Sequence, residues 1–257
     1  MTIPRNEWYG FIKKLRTVSD AAVDDLGAWM KAHGGYNIDT LDMGELLDYV
    51  WALVNKYGSA SSTLAATWYD ELAVLSNKWA PAAEVAEQIP YSEVAKMVNG
   101  VVKQSGNEEV LAGAVERMVK LQGVDTTLRN AIRDGAEVAW IPHGDTCAFC
   151  IALASRGWQL AGKKSLKNGH AEHVHAHCDC TYAVRFDDSL EVPGYDPGRY
   201  EDMYYGADGS TPTARINSMR REFYAENKDQ INASKRLAYK ERVERKNAPA
   251  AEEINVD

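Results

Sequence analysis

All four cysteines of this chain fall in two short motifs, Cys147-Ala148-Phe149-Cys150 and His175-Ala176-His177-Cys178-Asp179-Cys180. Two thiols three residues apart can both reach one ion, and a second thiol and imidazole pair further along the chain can close a tetrahedron around Zn²⁺. Cys147 and Cys150 fall at a predicted strand-to-helix turn, where main-chain N–H groups at the helix start favour the thiolate. Cys178 and Cys180 are i and i+2 on a predicted extended segment, so both can point to one side. More candidates exist than positions. The expected ligand set is Cys147, Cys150, His175 and Cys178, with Cys180 as the substitute, and the expected role is structural because these residues can fill a closed site.

Other chemistries draw on the same residues. A cysteine protease needs a thiolate hydrogen-bonded to an oriented imidazole, and Cys147 or Cys150 with His175 would supply that pair at the expense of two metal ligands. A zinc deaminase has its Cys-x-x-Cys after His-x-Glu, whereas here Cys147 and Cys150 precede His170-Ala171-Glu172. No Gly-rich phosphate loop, Gly-x-Ser-x-Gly elbow or His-Glu-x-x-His helix occurs. In the plainest alternative the cysteines are small buried hydrophobes and His170 and His173 belong to a polar loop. His33 and His143, single histidines beside turns, are expected at the surface.

These motifs need elements to hold them. Trp8, Phe11, Ile12, Leu15, Val18, Ala22, Leu26, Trp29 and Met30 recur at helical steps and predict a helix from Glu7 to Lys31, ended by Gly34-Gly35. A second helix is expected from Leu41 to Tyr57, capped by Asp42 and closed by Gly58, and a third from Ser61 or Ser62 to near Pro81. Further helices fit 82–99, interrupted by Pro90, and 107–134. After Gly135 the period changes: Glu137–Ile141 and Thr181–Phe186 read as strands, and Ala148–Arg156 as a short helix closed by Gly157. Pro193-Gly194-Tyr195-Asp196-Pro197-Gly198 reads as a linker. The fold class expected is α+β, mostly α. It comprises an N-terminal helical bundle (1–134), a small zinc-knuckle-like α+β domain (135–192), a linker (193–212) and a basic C-terminal helical arm with a disordered tip (213–257).

The chain has 257 residues and a net charge of −8, so it is not a polycation built to coat nucleic acid. Yet residues 213–246 hold ten Lys/Arg against five Asp/Glu, which makes an acidic body with a basic arm. Arg220, Arg221, Lys235, Arg236, Lys240 and Arg242 are candidate contacts to phosphates, while Phe223, Tyr224 and Tyr239 suit a groove on a protein partner. No apolar run approaches a membrane span and Met1–Glu7 lacks the features of a signal peptide. A protein that is soluble and cytosolic when made is expected, and thiols in the reducing cytosol favour metal over disulfide.

Several stretches carry a resemblance. Tyr57-Gly58-Ser59-Ala60, Leu64 to Asp70, Ile141 to Cys150 with Leu153 to Gly157, His175 to Cys180, and Pro193-Gly194-Tyr195-Asp196 resemble, in order and rough spacing, the MuF-like minor capsid proteins of tailed phages, the head morphogenesis proteins, especially those of actinobacterial hosts. The resemblance covers about residues 40–205 and is most specific in the pairing of Cys-x-x-Cys with His-x-x-Cys-x-Cys. It implies a virion component present in few copies at the portal and capsid interior, with the packaged double-stranded DNA as a further partner and no membrane. Localisation would be the virion, and the host cytoplasm during assembly. Relatives are often labelled capsid maturation proteases, which makes a Cys/His-dependent protease the alternative function; a zinc-stabilised DNA-binding protein outside the virion is the third. An assembly role rather than an enzyme is expected, since the residues able to catalyse are those zinc would use. Between Leu160 and His175 the chain departs from the family pattern with the loop Lys163 to His170.

Overall fold

The computed structural model describes residues 2–36, 41–104, 107–143, 146–162 and 180–247. The first helix, α1 (Arg5–Ala32), buries Trp8, Phe11, Ile12, Ala22, Leu26 and Met30 along one stripe. It ends where Gly34 and Gly35 turn left-handed, at φ 84° and 85°, a conformation that glycine adopts without steric cost. Asp42 caps α2 (Met43–Leu75), accepting the main-chain N–H of Gly44 at 2.8 Å and of Glu45 at 3.1 Å.

The break expected at Gly58 does not occur, and α2 runs through it as one helix. A glycine in mid-helix costs about 1 kcal/mol relative to alanine, so packing must repay it. At Gly58 a Cβ would overlap the Gln122 amide of α4 (Glu108–Asp134), which donates to the carbonyl of Val54 at 3.2 Å. One turn further along, Gly123 of α4 lies against Ser61 of α2. The two glycines are therefore the close approach of two long helices, and neither is a terminus.

Between α2 and α3 (Tyr91–Gln104), residues 78–90 form no regular element. This segment lies along α2 and α4 as a strap, its main chain bonded to their side chains. Ala83 N–H donates to Asp70 at 2.8 Å, Ala86 N–H to Thr126 at 2.9 Å, and Arg133 donates to the carbonyls of Pro81 and Ala82. The helix expected within 82–99 thus begins only after Pro90, which lacks the N–H that a helix interior uses. Asn107 caps α4, and Gly135 closes it in the left-handed conformation at φ 64°.

The remaining elements of the body are β1 (Glu137–Ile141), α5 (Ala148–Ala154), β2 (Gln159–Leu160), β3 (Thr181–Arg185) and α6 (Pro197–Gly206). The strands form an antiparallel sheet in the order β2-β1-β3, with Val138 opposite Val184 and Ile141 opposite Thr181. The molecule is α+β and mostly α. Sheet and helices bury their side chains together, since Ile3, Trp8, Trp68, Leu128, Trp140, Cys150, Tyr182 and Leu190 share one core cluster. A second cluster joins Leu26, Met30, Leu46, Val50, Val94, Leu111 and Val119 at the other end of the helices. Accordingly residues 1–202 make one compact unit, and the boundary expected after residue 134 runs through its core.

Residues 203–257 form a second unit, whose main element is α7 (Pro212–Asn247), 36 residues long. Its first turn is tied back by Arg215, whose guanidinium lies 5.6 Å from the Tyr204 ring and 5.1 Å from the Tyr205 ring. The helical arm expected beyond Thr213 is present, and the tip expected to be disordered lies outside the described residues. The helix α6 occupies part of the stretch read as a linker. Its signals were present: Asp196 accepts the Gly198 N–H at 3.0 Å, and Pro197 stands at the first helical position, where a missing N–H costs nothing.

Candidate functional site

Cys147 is the N-cap of α5, with extended backbone at φ −73° and ψ 157°, and its sulfur accepts the main-chain N–H of Cys150 at 3.5 Å. The two sulfurs differ in access. Cys147 is half-buried, whereas Cys150 is fully buried in the core. The thiol takes the place at the N-cap that a serine or aspartate usually fills.

The third described thiol, Cys180, stands just before β3. Because Ile141 and Thr181 are cross-strand partners, the residues just beyond them meet, and the His143 N–H donates to the Cys180 sulfur at 3.5 Å. Cys180 is also in the wall of a cavity of about 30 Å³ between α1, α2, α4 and β3, bordered by Phe11, Ala65, Val124 and Thr127. His143 is not the surface residue expected. Its ring is half-buried, 5.5 Å from that of Trp8 and 5.9 Å from that of Tyr9. The sequence signal for this was the pairing of its strand, which places any residue after Ile141 beside any residue before Thr181.

Around the thiols the frame is stiff. The Tyr195 hydroxyl donates to the Ala154 carbonyl at 2.9 Å and so fixes the end of α5; burial pushes its ionisation well above the ordinary tyrosine range. Arg185 of β3 spans the sheet to Glu137 at 2.6 Å, reaches Asp188 at 3.2 Å, and lies 4.8 Å from the Trp158 ring. His175, His177 and Cys178 lie outside the described residues. Among the described residues no three Cys, His, Asp or Glu side chains converge as a metal group.

On α7, Arg220, Arg221, Arg236 and Lys240 are exposed, as are Phe223 and Tyr224. Arg236 also donates to its own helix at the Asn232 carbonyl, 3.2 Å away. Lys235 and Arg242 are on the same helix, with side chains outside the described residues.

The sequence pattern of the VG15 protein family matches residues 2–207. The chain belongs to the VG15 family. VG15 proteins are a family of viral gene products, which makes this a phage protein. The VG15 match takes in the whole thiol region, the sheet and α6, and it stops before α7. Comparison with curated proteins and with solved structures returned no match. Among the described residues no helix is long and apolar enough to cross a membrane.

Proposed function

We propose that this VG15 protein is a minor capsid component with a MuF-like role, acting in head assembly at the portal and the capsid interior rather than in turnover. The observation that carries the reading is the division of the chain. The family region coincides with a compact body of residues 1–202, and beyond it comes a long charged helix with exposed Arg220, Arg221, Phe223 and Tyr224. Such a helix buries little of its own surface, and its interleaved charge and aromatic groups suit docking on a larger assembly. Quantitative mass spectrometry of purified particles and of empty heads tests it directly. A few copies per particle, and co-purification with the portal protein that is lost on deleting 212–257, are expected; absence from both particle types would sink the reading.

A structural Zn²⁺ belongs to the same proposal. Cys147, Cys150, His175 and Cys178 would hold it, with Cys180 as the substitute. Two of the described thiols, Cys147 and Cys180, already receive main-chain N–H groups of the kind that stabilise metal-bound thiolates. Bound zinc would cross-link the β1–α5 corner to the segment before β3. Elemental analysis near one zinc per chain, with thiols unreactive until chelation, is the expected outcome. Packaged DNA is a second partner for α7. Its phosphate contacts would make binding fall steeply with salt, and binding unchanged by removal of 212–257 would exclude the arm.

A further inference from the structure

The placement of the Cys-x-x-Cys pair points to a second state for it. We infer that Cys147 and Cys150 are a thiol–disulfide exchange pair that reacts with small disulfides of the glutathione class and closes into a Cys147–Cys150 bridge. Residues three apart at a helix start have Cβ atoms about 5–6 Å apart, and a disulfide needs about 3.8 Å. Here the Cys147 sulfur is already turned back over the first turn, 3.5 Å from the Cys150 nitrogen. A rotation about its χ1 and a small shift of the N-cap residue bring the sulfurs together. The N-cap can make that shift because its dihedrals are extended rather than helical and only its carbonyl, which accepts the Ile151 N–H at 3.1 Å, is held by the helix.

The difference in burial assigns the order of events. Half-buried Cys147 can meet a small disulfide, whereas Cys150, with no exposed surface, cannot. The Cys147 thiolate therefore attacks one sulfur of oxidised glutathione, forming a mixed disulfide and releasing one glutathione thiolate. The Cys150 thiolate then attacks the Cys147 sulfur, forming the internal bridge and releasing the second glutathione. Two electrons pass to glutathione, and the two thiol protons end on the two glutathione molecules formed. Attack within the first turn needs no access from solvent, so burial of Cys150 is no obstacle to this step.

Zinc and the bridge would claim the same sulfurs, so the two states exclude one another. The consequence for the particle rests on the proposed virion role: thiolates holding metal in the reducing host, and a covalent clip replacing the metal once particles leave it. The exchange chemistry itself does not depend on that role.

The test uses the full-length, freshly reduced wild-type chain treated with oxidised glutathione, with and without a zinc chelator, and followed by intact mass and peptide mapping. The expected product has lost the mass of two hydrogens, carries the cross-link at Cys147–Cys150, keeps its far-ultraviolet dichroism and reverts with dithiothreitol. Zinc-loaded chain is expected to react at least about tenfold more slowly, because metal binding holds the thiolates. The Cys150→Ser variant should stop at one glutathione on Cys147; should it fail to fold, the wild-type map decides. A stable glutathione adduct on wild-type Cys147, or a bridge to Cys178 or Cys180, would overturn the inference. A bridge forming in a chain that never binds zinc upholds the pair and removes the metal, and zinc bound without any bridge after chelation does the reverse.

Discussion

Asn55 and Asn130 do with side-chain amides what a neighbouring strand does with its main chain. Asn130 accepts the Glu84 N–H at 2.9 Å and donates to the Glu84 carbonyl at 2.8 Å; Asn55 treats Ile89 the same way at 2.9 and 3.2 Å. Both are buried, so their amides have few alternative partners. Asn130→Ala is expected to cost about 1–3 kcal/mol, the range for losing such a pair from a partly buried site. The shift of a urea midpoint at constant slope measures it, and a change within a few tenths would show the strap to be passive. Gly58→Ala should cost about 1–3 kcal/mol through overpacking against Gln122. Adding Gln122→Ala should recover much of that loss, because the overlap then has no second party; strict additivity of the two variants would refute the close-approach account.

Where α2, α4 and the strap meet, Asp134 accepts two bonds from Arg133, at 2.7 and 2.8 Å, and one from the Tyr69 hydroxyl at 2.8 Å. Burial opposes the Asp134 charge, but the Arg133 and Tyr69 bonds outweigh it and hold the carboxyl below its usual range. Burial first, then the bond to Asp134, pushes the Tyr69 hydroxyl far above the ordinary tyrosine range. On the acid side the unfolded chain binds the Asp134 proton first, so this stabilisation is complete above about pH 4 and lost as pH falls through the lower folded value. On the alkaline side the unfolded tyrosine ionises first, and stability declines as pH rises above about 10. Asp134→Asn should flatten the acid limb of stability against pH, and Tyr69→Phe the alkaline limb, both read from denaturation midpoints; unchanged limbs would remove the triad from the account. Most elements were legible because long apolar periodicity survives tertiary context, as in α1 and α4, and because Asp42, Gly135 and Gly157 are local signals. What was not legible depends on partners distant in sequence. Gly58 looks like a stop until Gln122 is opposite it, and 78–90 looks helical until side chains of α2 and α4 take its hydrogen bonds. The thiol motifs named Cys147, Cys150 and Cys180 from the sequence, but only the β1–β3 register places His143 beside Cys180.

For the molecule as a whole, the shared core changes what a substitution near the thiols does. With separate cores, loss of Cys150 would unfold residues 135–192 and spare the helices. With Cys150, Trp8, Trp68 and Trp140 in one cluster, the body should unfold as a unit, so that dichroism and tryptophan fluorescence give coincident transitions. A Cys150→Ser chain that melts in two separated steps would contradict this. Ending the chain after Asp208 removes α7 while keeping the family region, and the single transition should persist. The body is also closed by a link between its distant ends. Thr2 forms a parallel bridge with Glu191, the Ile3 N–H donates to the Glu191 carbonyl at 2.9 Å, and the Ile3 side chain is buried. On the ribosome, then, α1 emerges early but must wait for almost the whole body before its N-terminal anchor exists. Completion of this core waits for residue 191, and a chain stalled before that point would hold Trp8, Trp68 and their neighbours still in need of cover.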